Sequence, residues 1–168
     1  MMKKHFLFFV LTLITAGVFA QEKPLSPPAT AEGTIDGAKI TINYSAPSAK
    51  GRKMIGEKDP YGKVWRTGAN KATTFEVSKN VKIEGKELPA GKYALFTIPG
   101  ETEWVIIFSK KADQGGAFDY TEKEDALRVT VKSAKAPAFI ETFNIAVEKD
   151  KVTLKWENFL VSFKVTKA

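Results

Sequence analysis

The stretch Lys151-Val152-Thr153-Leu154-Lys155-Trp156-Glu157-Asn158-Phe159-Leu160-Val161-Ser162-Phe163-Lys164-Val165-Thr166 sets the fold class. Val152, Leu154 and Trp156 alternate with Lys151, Thr153 and Lys155, the period-two pattern of a strand with one face in a core and one in water. Glu157-Asn158 supplies turn chemistry, and a further strand is expected over 159–166. With Glu148 to Asp150 as the preceding turn, the segments 138–147, 151–156 and 159–166 are expected to form an antiparallel meander.

The same alternation extends upstream. Ile40, Ile42 and Tyr44 alternate with Lys39, Thr41 and Asn43, and Leu127, Val129 and Val131 alternate with Arg128, Thr130 and Lys132. Tyr93 to Ile98 and Trp104 to Phe108 are apolar on both faces, which places them in the middle of a sheet and under another layer. Glu84-Gly85, Pro89-Ala90-Gly91 and Pro99-Gly100 punctuate the runs, and no window carries a comparable helical stripe. Nine or ten short strands at this spacing predict an all-β chain built as a single antiparallel β-sandwich, with a closed β-barrel as the alternative.

The N-terminus reads as an export signal. Lys3 and Lys4 precede an apolar run from Phe6 to Ala20, and Val18 and Ala20 are the small residues before a cleavage point at Gln21. At about 15 residues the run is shorter than the ~20 needed to span a bilayer. The expected organisation is therefore a signal peptide at 1–20, a Pro-rich lead-in at 21–30 with Pro24, Pro27 and Pro28, and a β-sandwich domain at 31–168, with the protein exported to the periplasm or secreted. The chain has no Cys, so there is no site for N-terminal acylation and no disulfide; a domain of this length can bury about 70% of its unfolded surface without such staples.

The single histidine, His5, falls within the signal, so the rest of the chain has neither imidazole nor thiol. Ser-His-Asp and Cys-His nucleophiles, ordinary zinc sites and blue-copper sites need one or the other, and no metal or cofactor is expected. The reading leans away from an enzyme. What remains open chemically is a carboxylate pair of glycosidase type, a Ser-Lys arrangement or a calcium site. Glu122, Glu124 and Asp125 lack calcium-loop spacing and include Lys123 among them, which favours a solvated turn.

Charge is unevenly placed. Beyond residue 20 there are 24 basic and 19 acidic side chains, and the excess of five lies wholly within residues 50–71. Lys50, Arg52, Lys53, Lys58, Lys63, Arg66 and Lys71 stand there against Glu57 and Asp59, interleaved with Tyr61, Trp65 and Asn70. An anionic ligand or a glycan would meet positive charge, an aromatic face and an amide together, so Tyr61, Arg66, Asn70, Arg52 and Lys53 are the candidate ligand contacts. Against this stands a structural reading in which Trp65 packs in the core and the lysines solubilise a loop. Gly68 and Asn70 tolerate positive φ, so a tight turn is expected after a strand ending at Arg66, with Trp65 inward and Arg66 outward. Two long connections, Ser45 to Gly62 and Lys110 to Asp125, are either functional loops or crossovers between sheets. Nucleic acid is a poor candidate partner for an exported chain with one short basic segment.

Several strings here are specific: Tyr44-Ser45-Ala46-Pro47, Lys50-Gly51-Arg52-Lys53, Pro60-Tyr61-Gly62-Lys63-Val64-Trp65-Arg66-Thr67-Gly68-Ala69-Asn70, Leu88-Pro89-Ala90-Gly91-Lys92-Tyr93 and Leu95-Phe96-Thr97-Ile98-Pro99-Gly100. With Glu103-Trp104, Ala117-Phe118 and Lys123 to Val129, they make most of residues 31–166 similar to the exported Bacteroidetes family catalogued as domain of unknown function 2911. Lys71 stands where that family usually has an acidic residue and Ala46 where a basic one is common. The resemblance implies an all-β domain in a Gram-negative cell envelope and carries no activity, hence no catalytic residue. Three function classes follow: a non-catalytic module binding an anionic or carbohydrate ligand through residues 50–71, a carboxylate-dependent glycan hydrolase, and an envelope protein–protein interaction module.

Overall fold

A computed structural model describes residues 25–168; the expected signal peptide and the first part of the lead-in lie outside the described residues. Nine strands form one antiparallel sheet: β1 (Pro28–Ile35), β2 (Ala38–Ser45), β3 (Thr73–Val77), β4 (Val81–Ile83), β5 (Lys86–Leu88), β6 (Gly91–Ile98), β7 (Glu103–Ser109), β8 (Asp125–Val147) and β9 (Lys151–Lys167). Their order is β1-β2-β3-β6-β7-β8-β9-β4-β5, so the sheet keeps two free ends and does not close into a barrel. Two short 3-10 turns, Ala117–Asp119 and Glu122–Glu124, are the only helical pieces among the described residues.

The long β8 and β9 turn this single sheet into two facing layers. β8 runs beside β7 from Asp125 to Lys132, then shifts register between Lys135 and Ile140 and again before Asn144, as it crosses to pair with the first half of β9. Pro137, which has no N–H to give, sits inside the first irregularity. β9 folds back on itself at Glu157, whose φ is 50°. The Thr153 and Ser162 hydroxyls are 2.9 Å apart and the Val165 N–H donates to the Asp150 carbonyl at 2.9 Å. Nine residues of straight strand would separate Thr153 and Ser162 by ~30 Å. The expected meander is thus present, with its 138–147 segment continuous with the strand before it and its last two segments joined as one folded strand.

Alternation does the packing. Val152, Leu154 and Trp156 on one limb of β9 and Val161, Phe163 and Val165 on the other all enter the main core, facing Ile40, Ile42, Phe75, Leu95, Ile106, Phe108 and Val129 of the opposite layer. β6 and β7 are central, as their two-faced apolar pattern implies. Their outward side chains Phe96 and Ile107, with Ala72 and Ala94, form a second small cluster under Val64 and Tyr120. The hairpins β1-β2 and β4-β5 turn on Asp36-Gly37 and Glu84-Gly85, both residues of each pair at positive φ, the pattern whose twist matches paired strands.

Pairing begins earlier than the Pro-rich composition suggests. Pro28, Ala29 and Thr30 lie opposite Ser45, Tyr44 and Asn43, so the lead-in expected to span 21–30 without regular pairing ends before Pro28. Proline is tolerated there because β1 is an edge strand and Pro28 its first residue.

The fold in β9 is also where the long 46–62 connection is fastened. Glu157 is 4% exposed, and its two carboxylate oxygens accept the N–H groups of Met54 and Ile55, each at 2.8 Å. Glu157→Ala would strand the buried Ile55 N–H and the part-buried Met54 N–H, and ~1–3 kcal/mol for each unsatisfied group predicts a loss of about 3 kcal/mol in chemical denaturation. Glu76→Ala, at an exposed position on β3, should change stability by less than ~0.5 kcal/mol.

Candidate functional site

The segment 46–62 is a covering element rather than a free loop. Ala49 N–H donates to the Glu141 carbonyl and Phe143 N–H to the Pro47 carbonyl, both at 2.9 Å, so residues 47–49 add themselves to the edge of β8. Further on, Met54 to Asp59 close into a compact turn: Asp59 N–H donates to the Met54 carbonyl at 2.8 Å and Gly56 N–H to the Asp59 carbonyl at 2.9 Å. Ile55 of this turn is fully buried in the core.

Trp65 follows as an inward anchor. It makes one bridge to Thr97 of β6, donating at 2.7 Å and accepting at 2.9 Å, in place of the regular strand expected to end at Arg66. Its indole stacks on Trp156 at 5.5 Å and 17° and meets Phe143 edge-on at 5.1 Å. The following turn has Thr67, Gly68 and Asn70 at positive φ of 56°, 153° and 60°. A Cβ at Gly68 would lie 2.9 Å from the Ser45 carbonyl oxygen, so only glycine fits. Asn70 was legible as a turn residue, but Thr67 was not: a β-branched residue at positive φ is a strained conformation costing ~1–3 kcal/mol. It is fully buried, with its carbonyl accepting from the Thr73 hydroxyl at 2.7 Å and its own hydroxyl 3.2 Å from that of Thr97.

The five candidate contacts are distributed over this frame. Arg52 donates from Nε to the Ala49 carbonyl and from Nη2 to the Ser48 carbonyl, both at 2.9 Å, so its guanidinium closes its own turn. Lys53 is exposed, with its ammonium 3.9 Å from Glu57. Asn70 donates to the Ser45 hydroxyl at 3.2 Å and so secures the turn against the end of β2. Tyr61 is half-buried, its ring lying over Gly56, where a Cβ would come within 2.8 Å of it. A shallow groove of about 370 Å³ beside Arg52 is lined by Ser48, Lys50, Ser26 and Leu25; Tyr61, Arg66 and Asn70 are not part of it.

Arg66 is placed differently. It is half-buried, and among the described residues no acceptor lies within hydrogen-bonding or ion-pair distance of its guanidinium. Nη1 sits 3.2 Å from where a Gly116 Cβ would project, so the absence of a side chain at 116 leaves room for it. Asp59 of the Met54–Asp59 turn is near enough for the guanidinium to lower its pKa, while burial acts the other way and prevails, taking that carboxyl from 3.8 to about 6. Glu157 adds a further, smaller upward push.

The second long connection closes the other side. Ala72 N–H donates to the Gln114 carbonyl at 3.1 Å, and Tyr120 packs edge-on against Phe96 at 5.1 Å. The Tyr120 hydroxyl donates to Asp125, and Arg128 binds both, which fastens the 110–125 loop to β8. Asp125 and Glu122, considered above for calcium, are thereby engaged with Arg128. Phe118, 84% exposed, stands next to Gly116. The site is therefore a guanidinium at the junction of two anchored loops, with the Asp59 carboxyl near enough to feel its charge and the Phe118 ring approaching the same Gly116. Gly116 and Phe118 were not singled out from sequence as contacts; the Gly115-Gly116 pair in a long loop was the one signal available.

Asp59 provides a test of this geometry. Its folded pKa is raised, so the folded state keeps a proton that the unfolded chain releases; the associated stability is full below pH ~4 and is lost as pH rises through about 6. Asp59→Asn should therefore raise the melting temperature at pH 7.5 and leave it unchanged at pH 3.5, by differential scanning fluorimetry.

Residues 26–165 match the sequence profile of the family described as "Protein of unknown function (DUF2911)". No curated protein and no solved structure matches the chain. With the match extending over nearly all of the described sandwich, the chain belongs to the DUF2911 family.

Proposed function

We propose that this protein is an exported, non-catalytic β-sandwich that binds an anionic ligand, with Arg66 as the principal contact. The observation that carries the reading is a half-buried guanidinium with no bonding partner among the described residues, at the junction of the two long loops. A guanidinium presents five N–H groups in a planar fork and can hold a carboxylate or sulfate through two parallel bonds. Partial burial strengthens that attraction relative to an exposed lysine. Phe118 offers an apolar face beside it, which suits the ring of an acidic sugar as well as a small anion. Export, to the periplasm or beyond, follows from the reading of residues 1–20.

The hydrolase reading requires two carboxylates free to act on one bond. Asp59 has a pKa suited to a proton donor, but Glu157, the carboxylate that perturbs it, already accepts two backbone N–H bonds. The interaction-module reading would draw on the exposed apolar side chains Leu25, Phe118 and Phe139, which come from three separate segments.

Immobilised sulfated or uronic polysaccharide should retain the protein at low salt and release it by ~0.5 M, where screening acts within a few ångströms. Arg66→Ala should weaken retention more than Lys58→Ala. For a sulfated ligand, which stays ionised, retention of the wild type should increase as pH falls through about 6, because neutral Asp59 no longer places a negative charge near Arg66 to repel the sulfate. Equal retention of the two variants, with both folded, would remove Arg66 from the site.

A further inference from the structure

The outward face of folded β9 carries a second basic surface that no window of the sequence shows. Strand alternation sends Val152, Leu154, Val161 and Phe163 to the core, so Lys151, Thr153, Lys155, Leu160 and Ser162 face away from it. Beside them the crossover of β8 brings Lys132, Pro137 and Ile140, and between the two lies a groove of about 480 Å³. That size is within the range of small-molecule sites.

The groove has a built floor and a charged rim. Thr153 points outward yet is 4% exposed, and its hydroxyl is 2.9 Å from that of Ser162. In such a pair one hydroxyl donates to the other, leaving one O–H and several lone pairs to face a ligand. On the rim, Lys151 and Lys155 share one carboxylate, Glu148, at 3.4 and 3.3 Å. A single carboxylate neutralises only one of them, and Lys132 has no acidic partner within 4 Å among the described residues. The side chains lining the groove therefore sum to a net charge of +2, with Glu103, opposite Lys132 on β7, outside the lining, and they stand beside the aliphatic side chains of Leu160, Ile140 and Pro137.

We propose that this groove binds an amphipathic anion, a carboxylate or comparable acidic head with an aliphatic body: the head against the lysines and the hydroxyl pair, the body along Leu160 and Ile140. The site shares no residue with the surroundings of Arg66, and it stands or falls independently of the function proposed there.

The probe is decanoate, titrated by isothermal calorimetry into the protein alongside acetate and decyltrimethylammonium. Decanoate should bind in a 1:1 ratio, at least tenfold more tightly than acetate, with no binding of the cationic amphiphile. Lys132→Ala, at an exposed position with no acidic oxygen within 4 Å among the described residues, should weaken decanoate several-fold, and Lys132→Ala combined with Lys155→Ala at least tenfold. Lys58→Ala, which removes an exposed lysine outside the groove, should leave it unchanged. Failure to saturate at millimolar decanoate, equal binding of the cationic amphiphile, or wild-type affinity in the double lysine variant would each overturn the proposal.

Discussion

Glu157 occupies the one position where three requirements meet: the fold in β9, the edge of the aromatic cluster and the attachment of the 46–62 segment. The carboxylate of a residue only 4% exposed is costly unless its lone pairs are satisfied, and here two backbone N–H groups at 2.8 Å bind its two oxygens. Satisfaction is mutual, since Met54 and Ile55 would otherwise bring unpaired donors under cover. The positive φ of Glu157 aims the carboxylate while the chain reverses. Without that reversal Phe163 and Val165 would not return to the core beside Val152 and Leu154, and without the capture the burial of Ile55 would leave its N–H unpaired.

Position of the candidate anion site descends from the same constraint. The Met54–Asp59 turn sets Asp59 near Arg66, while the stacked Trp65 and Trp156 fix the residue immediately before Arg66. On the other side, the Tyr120–Asp125–Arg128 network holds the loop that contains Gly116. The strained Thr67 is consistent with a turn held by its surroundings rather than by its own preference.

Much of the fold was legible because it depends on local alternation: the limbs of β9, the strand around Val129, and the two-faced runs that became β6 and β7. Trp65 inward and Asn70 at positive φ were also readable from residue type. Glu157 was not, because in sequence it is a polar residue in a turn, and nothing local reveals that Met54 and Ile55 arrive from a hundred positions away. Charge counting along the chain is limited for a related reason, since it registers only neighbours in sequence. It located the excess in residues 50–71, where Arg52 and Lys53 are already engaged, and it missed Lys132, Lys151 and Lys155, which converge only when β8 crosses and β9 folds. Composition likewise concealed the pairing of Pro28, which an edge strand permits.

Amide hydrogen exchange of Met54 and Ile55, measured by NMR in the wild type and in Glu157→Gln, tests most directly whether the 46–62 segment belongs to the core through Glu157. A glutamine keeps the size of the side chain but offers one acceptor oxygen in place of two. In the wild type both amides should exchange only through global unfolding, with protection equal to that of Phe163, and in Glu157→Gln at least one should exchange a hundredfold faster relative to Phe163. Wild-type amides at 54 and 55 exchanging as fast as those of exposed Lys58 and Lys63 would contradict the account.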